Sequence, residues 1–193
     1  ALELMGVYDD AEGAAEAGFV RDENGDFTGW ILEFGYNLYS ENMWQALNWR
    51  PADSATQETI SVVTDDMKLW GVTGIMDAYA LGEDHVKNVH DMDVQGDLNM
   101  FYEISVVMDD FSLLEDTLES IHYLNDTYAT DHVYVDTLKI FYDGTNELGD
   151  SARIDGTVDD PDNHGFMMMD YDQTKETIKR CTEEGIDVQF HMV

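Results

Sequence analysis

The sequence predicts an α/β fold, a parallel sheet covered by helices, on three observations. From residue 51 onward, four apolar segments of strand length alternate with segments of helical periodicity. The strand segments are apolar on both faces, as strands buried on both sides are. Helical segments join them, and parallel strands need such crossovers. A complete (β/α)8 barrel takes about 250 residues, so four such units amount to about half of one. Pattern alone leaves a barrel half and an open sheet both standing.

Residues 1–50 precede the alternation. Leu2 to Val7 is apolar enough for a helix end, and Gly13 to Gly18 is small and flexible. Phe19-Val20 and Trp30-Ile31-Leu32 flank Arg21 to Asp26, with Asn24-Gly25 at the tip. Asn-Gly tolerates the positive φ of a tight turn, so a hairpin is expected. Leu38, Met43 and Leu47 follow at helical spacing.

Beyond Pro51, Asp53 or Ser54 caps a helix over 55–70, with Ile60, Val63, Met67 and Leu69 or Trp70 on its packed side. Residues 71–78 form a short strand that ends in Asp77. A helix over 82–90 precedes a strand over 98–108. Asp110 or Ser112 starts a helix through Leu113, Leu114, Leu118, Ile121 and Leu124. Residues 133–142 are the third strand, closed by Asp143-Gly144, and 145–169 form a long loop. Asp172 or Thr174 caps the last helix, Gly185 ends it, and 186–192 are the final strand.

Composition removes several function classes. Forty-two acids against nine Lys and Arg give a formal charge of −33. Such charge marks disorder only where apolar residues are few, and here they make up 44% of the chain. With no basic patch, nucleic acid and anionic membranes are disfavoured partners. The single cysteine, Cys181, excludes an internal disulfide and a Cys-rich zinc module. No apolar run nears the roughly 20 residues of a spanning helix, and no signal-peptide pattern opens the chain. A cytoplasmic protein suited to high salt is expected. The apolar ends, Ala1 to Met5 and Phe190 to Val193, suggest a piece of a longer protein.

Most motif matches are weak. Asp91 to Asp97 resembles the opening of an EF-hand loop, but the twelfth position is Tyr102 where a bidentate Glu belongs. A solvated helix-to-strand loop is the expected reading there. Asp22 to Asp26 reads as a turn on the same grounds, and Met167 to Met169 as core or loop filling. No G-x-G-x-x-G, P-loop, G-x-S-x-G or H-E-x-x-H occurs.

The strand ends are more informative, because barrel enzymes place their chemistry there. Lys139 stands within Leu138-Lys139-Ile140-Phe141-Tyr142, where an unpaired ammonium is costly. Strand period puts Asp143 on its face. His191 ends the last strand and Asp77 the first. Individually, each has a structural reading as a hydrogen-bonded or paired core residue.

Five blocks resemble, in order, the YtcJ-like branch of the amidohydrolase superfamily, often called amidohydrolase family 3. Ala1-Leu2-Glu3-Leu4-Met5-Gly6-Val7 is similar to that family's ALELAGI segment. Arg21 to Glu33 is similar to its RDxxGxPTGxLxE hairpin, with Phe27 in place of Pro. Gly71-Val72-Thr73-Gly74-Ile75-Met76-Asp77-Ala78 is similar to GVTSVxDA, Lys139 to Thr145 to KxFxDGT, and Gly185 to His191 to GxQVxxH.

The resemblance implies strands two to five of a (β/α)8 (TIM) barrel over 51–193, with 1–50 as a hairpin-containing insertion. It implies a metal-dependent hydrolase of carbon–nitrogen bonds in small amide-type substrates. The metal is divalent, zinc by this resemblance, as one or two ions. His191 aligns with a metal-binding histidine of the fifth strand. Lys139 aligns with the fourth-strand lysine that many members carbamylate to bridge two metals. Asp77 and Asp143 would stand near the metal or face substrate. The family's first-strand His-x-His, its later histidine and its catalytic Asp find no counterpart here. No catalytic residue is therefore expected in the chain, which should be inactive alone. Open sheet edges would favour self-association. The competing reading is a non-catalytic acidic α/β binding or assembly module.

Overall fold

A computed structural model describes residues 1–32, 37–51, 54–80, 82–146, 149–158 and 160–193. Two sequence expectations, Asp53 as a cap and Glu33 as the end of the hairpin block, fall outside these residues. The chain divides into two compact units, Ala1–Ala52 and Asp53–Val193. No helix among the described residues is long and apolar enough to cross a membrane.

The first unit holds helices α1 (Leu2–Met5) and α2 (Ala11–Glu16), strands β1 (Phe19–Arg21) and β2 (Phe27–Ile31), and helix α3 (Asn37–Leu47). The strands pair antiparallel, as the Asn-Gly tip predicts. Gly25 adopts φ 86°, and Asp22 Oδ1 accepts the Asn24 and Asp26 N–H groups at 2.9 Å each, closing the turn. Asp10 caps α2 by accepting the Gly13 N–H. Met5, Val7, Ala14 and Phe19 form the core of this unit.

The second unit runs through α4 (Gln57–Leu69), β3 (Gly74–Asp77), α5 (Glu83–Gln95), β4 (Phe101–Val107), a 3-10 turn (Phe111–Leu113) and α6 (Leu114–Tyr128). It continues through β5 (Val133–Phe141), α7 (Tyr171–Glu184) and β6 (Asp187–His191). The four strands pair in parallel and in chain order, β3-β4-β5-β6. Residues paired across a parallel sheet point to the same side, which separates its two faces. Ile104, Val135, Leu138 and Ile140 face the helices and are fully buried. They pack on Val86 and Val89 of α5, Leu118 and Ile121 of α6 and Cys181 of α7. The other face carries Glu103, Ser105, Thr137, Lys139, Gln189 and His191. Sequential strands with the apolar core on one face only are the arrangement of half a (β/α) barrel, and the open-sheet alternative falls away.

Four local expectations are corrected. Thr56, not Ser54, caps α4 by accepting the Thr59 N–H. Along α4 the packed side is Ile60, Thr64 and Met67, whereas Val63, Leu69 and Trp70 are exposed. β3 is an edge strand, so α4 has a neighbouring helix of this sheet layer, α5, on one side only. Helix α5 runs on to Gln95, so Asp91 and Asp93 lie on helical backbone and Gly96 is the left-handed C-cap. That backbone cannot wrap an EF-hand ion. Asp170 caps α7 in place of Asp172 or Thr174, and exchanges a capping box with Gln173. Gly185 ends that helix at φ 72°, as expected.

Candidate functional site

Lys139 lies on β5 between Val107 of β4 and Gln189 of β6. It is 5% exposed and, among the described residues, its ammonium has neither an ion pair nor a hydrogen bond. The Phe141 ring compensates it in part, with Nζ 4.9 Å from the ring centroid. Burial pulls its pKa below the ordinary lysine value.

His191 ends β6 directly opposite Phe141. Their rings meet edge to face at 5.6 Å. Strand parity puts Lys139, Phe141, Gln189 and His191 on one face, so Phe141 touches both candidate ligands. Sequence reasoning passes over Phe141. Its signal is its place two residues beyond Lys139, on the same strand face.

The surrounding face is polar and incompletely satisfied. Among the described residues, buried Ser105 Oγ, Asp136 Oδ1 and Gln189 Oε1 have no hydrogen-bond partner, although most buried polar atoms do. Thr137 Oγ1 donates to Glu103 Oε1 at 2.7 Å. The Asp136 carboxyl is pushed above the usual range by burial and then by the charges of Glu103 and Asp187. A core built for stability alone fills such a face with apolar groups.

The other two sequence candidates stand elsewhere. Asp77 pairs with Ile104, on the helix-facing side of the sheet and away from Lys139. Its Oδ2 lies 3.1 Å from His85 Nε2 and accepts the Tyr102 hydroxyl at 3.0 Å. Burial raises the Asp77 pKa, and the bonds from His85, the Tyr79 N–H and Tyr102 outweigh it, leaving the carboxyl below its usual value. A strand of period two that sends Met76 inward sends Asp77 outward, so Asp77 does not share the face of Lys139 and His191. Asp143 likewise does not join Lys139, because β5 ends at Phe141. Its Oδ2 accepts the Ala152 N–H at 3.1 Å and its Oδ1 the Val193 N–H at 3.0 Å. It clasps the loop after β5 to the exit of β6.

A metal is matched in part. Lys139 and His191 share one face at the carboxyl ends of adjacent strands, and the lone buried lysine has the environment in which an ammonium gives way to a neutral or modified form. Among the described residues, however, no three His, Cys, Asp or Glu gather where they could hold an ion. Lys139 and His191 by themselves do not make up an ion site among the described residues.

No protein-family model matches the sequence, and no curated protein matches it. Two solved structures share its fold. One is an uncharacterized metal-dependent hydrolase from Pyrococcus furiosus, at 19% identity and TM-score 0.58, covering 100% of this chain and 36% of that one. The other is an uncharacterized metal-dependent hydrolase from Pyrococcus horikoshii OT3, at 15% identity and TM-score 0.57, covering 100% and 35%. The chain spans about a third of the length of those proteins.

Proposed function

We propose that this chain is a segment of a metal-dependent hydrolase that cleaves amide-type carbon–nitrogen bonds, of the amidohydrolase 3 kind, and is inactive by itself. One observation carries the reading: a buried lysine without a counter-ion among the described residues faces the same side as a strand-end histidine, at the carboxyl ends of neighbouring parallel strands. The fold shared with two metal-dependent hydrolases supports it. Lys139 and His191 would be this segment's contribution to holding a divalent ion, zinc by the family resemblance. A divalent ion held there would supply Lewis-acid polarisation of the scissile carbonyl. Phe141 orients the two donors, filling the space between the Lys139 stem and the His191 ring. Gln189, directly opposite Lys139, has an oxygen free to accept from a ligand or substrate N–H. The remaining metal ligands and the general base come from barrel strands outside these 193 residues.

The test is zinc and manganese titration of the chain by calorimetry, beside His191→Ala. Weak binding that this substitution abolishes, with no turnover of acyl-amide substrates, is the expected result. Binding unchanged in His191→Ala, or turnover at the rate of a complete enzyme, refutes the reading. Weak calcium binding scattered over many acids would favour the acidic-module alternative.

A further inference from the structure

Both edges of the parallel sheet are open. β3 and β6 stand at its two ends, and among the described residues neither has a strand on its outer side. A row of unpaired N–H and C=O groups is a template for another strand. From α4 to β6, four α-helices and four strands alternate, half of the eight and eight that close a barrel.

The helices at the two edges carry matching flanks. On α4, Lys68 reaches toward β4 and donates to the Leu98 carbonyl at 2.9 Å. On the other side of the packed line Ile60, Thr64 and Met67 lie Thr59, Val63, Asp66 and Trp70, spaced four, three and four apart and all exposed. Trp70 is 82% exposed. On α7, Arg180 turns to α6 and donates to Glu115 Oε2 at 2.7 Å. Tyr171, Lys175 and Ile178 line the opposite flank, again exposed. Apolar groups gathered in water in this way mark an interaction face. Each flank carries a single charge and the two are opposite: Asp66 on α4 and Lys175 on α7, neither with an ion pair among the described residues.

We propose that a second copy of this chain covers these edges, so that two half barrels related by a two-fold axis along the strands close one eight-stranded barrel. β6 of each copy pairs in parallel with β3 of the other. The Tyr171–Ile178 flank of each α7 packs on the Val63–Trp70 flank of the other copy's α4. The same contact is made twice, so assembly stops at two. A second copy fits where an unrelated protein would not, because it brings the missing number of strands and a flank of opposite charge. The net charge of −33 opposes the pairing until salt screens it, and at 1 M the Debye length is about 3 Å, so the dimer belongs to molar salt. The proposal concerns the 193-residue chain by itself and rests on the half-barrel fold, so its failure is distinguishable from failure of zinc binding at His191.

The experiment is sedimentation equilibrium of the full chain at micromolar concentrations in molar KCl, with hydrogen exchange on the same samples. The mass should be that of two chains, and the amides of 74–77 and 187–191 should exchange more slowly in the dimer than in the diluted chain. Trp70→Lys should leave a folded single chain, with circular dichroism as the check on folding. Asp66→Lys and Lys175→Glu should each weaken the dimer about fivefold, roughly the worth of two surface ion pairs, and the two together should restore it. A single-chain mass at every concentration, a mass that grows past two chains, edge amides unchanged on association, or a double variant no tighter than the single ones overturns the proposal.

Discussion

Replacing Lys139 by Met tests whether the candidate site is held at the expense of stability. The ammonium lies in a 5% exposed position with a single aromatic face for company. Desolvating an ammonium costs several kcal/mol even after relaxation, and one cation–π contact returns about 0.5–2 kcal/mol. Met has nearly the same length, keeps the stem packing and removes the charge. Lys139→Met should therefore stabilise the chain by about 2 kcal/mol, a rise in Tm of roughly 4–8 °C for a protein of this size. The sign with pH follows from the lowered lysine pKa. Between the folded value and the unfolded value of about 10.4, the unfolded chain binds more protons, so wild-type stability rises with pH. The advantage of Lys139→Met is then fullest at neutral pH and shrinks toward alkaline pH. Thermal melts of both proteins from pH 7 to pH 10 measure it. A less stable Lys139→Met, or an advantage that does not shrink, refutes the claim that this lysine is uncompensated.

Three further outcomes follow from the same structure. With a formal charge of −33, self-repulsion is relieved by counterions, so Tm should rise from low to molar KCl; flat melts contradict this. Asp77→Asn should cost about 1–3 kcal/mol by loosening its bonds to His85 and Tyr102. Because the Asp77 pKa is lowered in the folded chain, its contribution is present above the unfolded carboxylate value of about 3.9 and is lost as pH falls through the folded value. Urea midpoints of the two proteins should therefore converge in acid. Asp143→Ala should leave α6 and α7 intact but free the Ala152 and Val193 amides, which hydrogen exchange reads as faster exchange at those two positions; unchanged protection there shows that the clasp does not hold the loop.

Elements of strong periodicity are legible in the residue order alone. Leu114, Leu118, Ile121 and Leu124 repeat at helical spacing and are buried on α6, and Asn24-Gly25 marks the hairpin turn. Boundaries are less legible where local signals compete. Thr56 and Asp170 sit beside other competent caps, and only the approach of the chain to the helix decides which hydroxyl or carboxylate reaches an N–H. The extent of α5 is masked by an acidic run whose spacing imitates a calcium loop. Lys139 and His191 are readable because a lysine or histidine interrupts an apolar strand.

By itself the sequence determines the alternation of strands and helices, the hairpin, and which residues violate an apolar strand. Those are properties of spacing and residue type, and they survive any arrangement of the elements. Tertiary structure decides which of two strand faces each violating residue occupies. A parallel sheet in chain order with its helices on one side turns Lys139 and His191 to one surface and Asp77 to the other, and the end of β5 at Phe141 sends Asp143 to backbone amides instead of to the lysine. Register and strand ends are settled by pairing between segments distant in sequence, so no local pattern carries them.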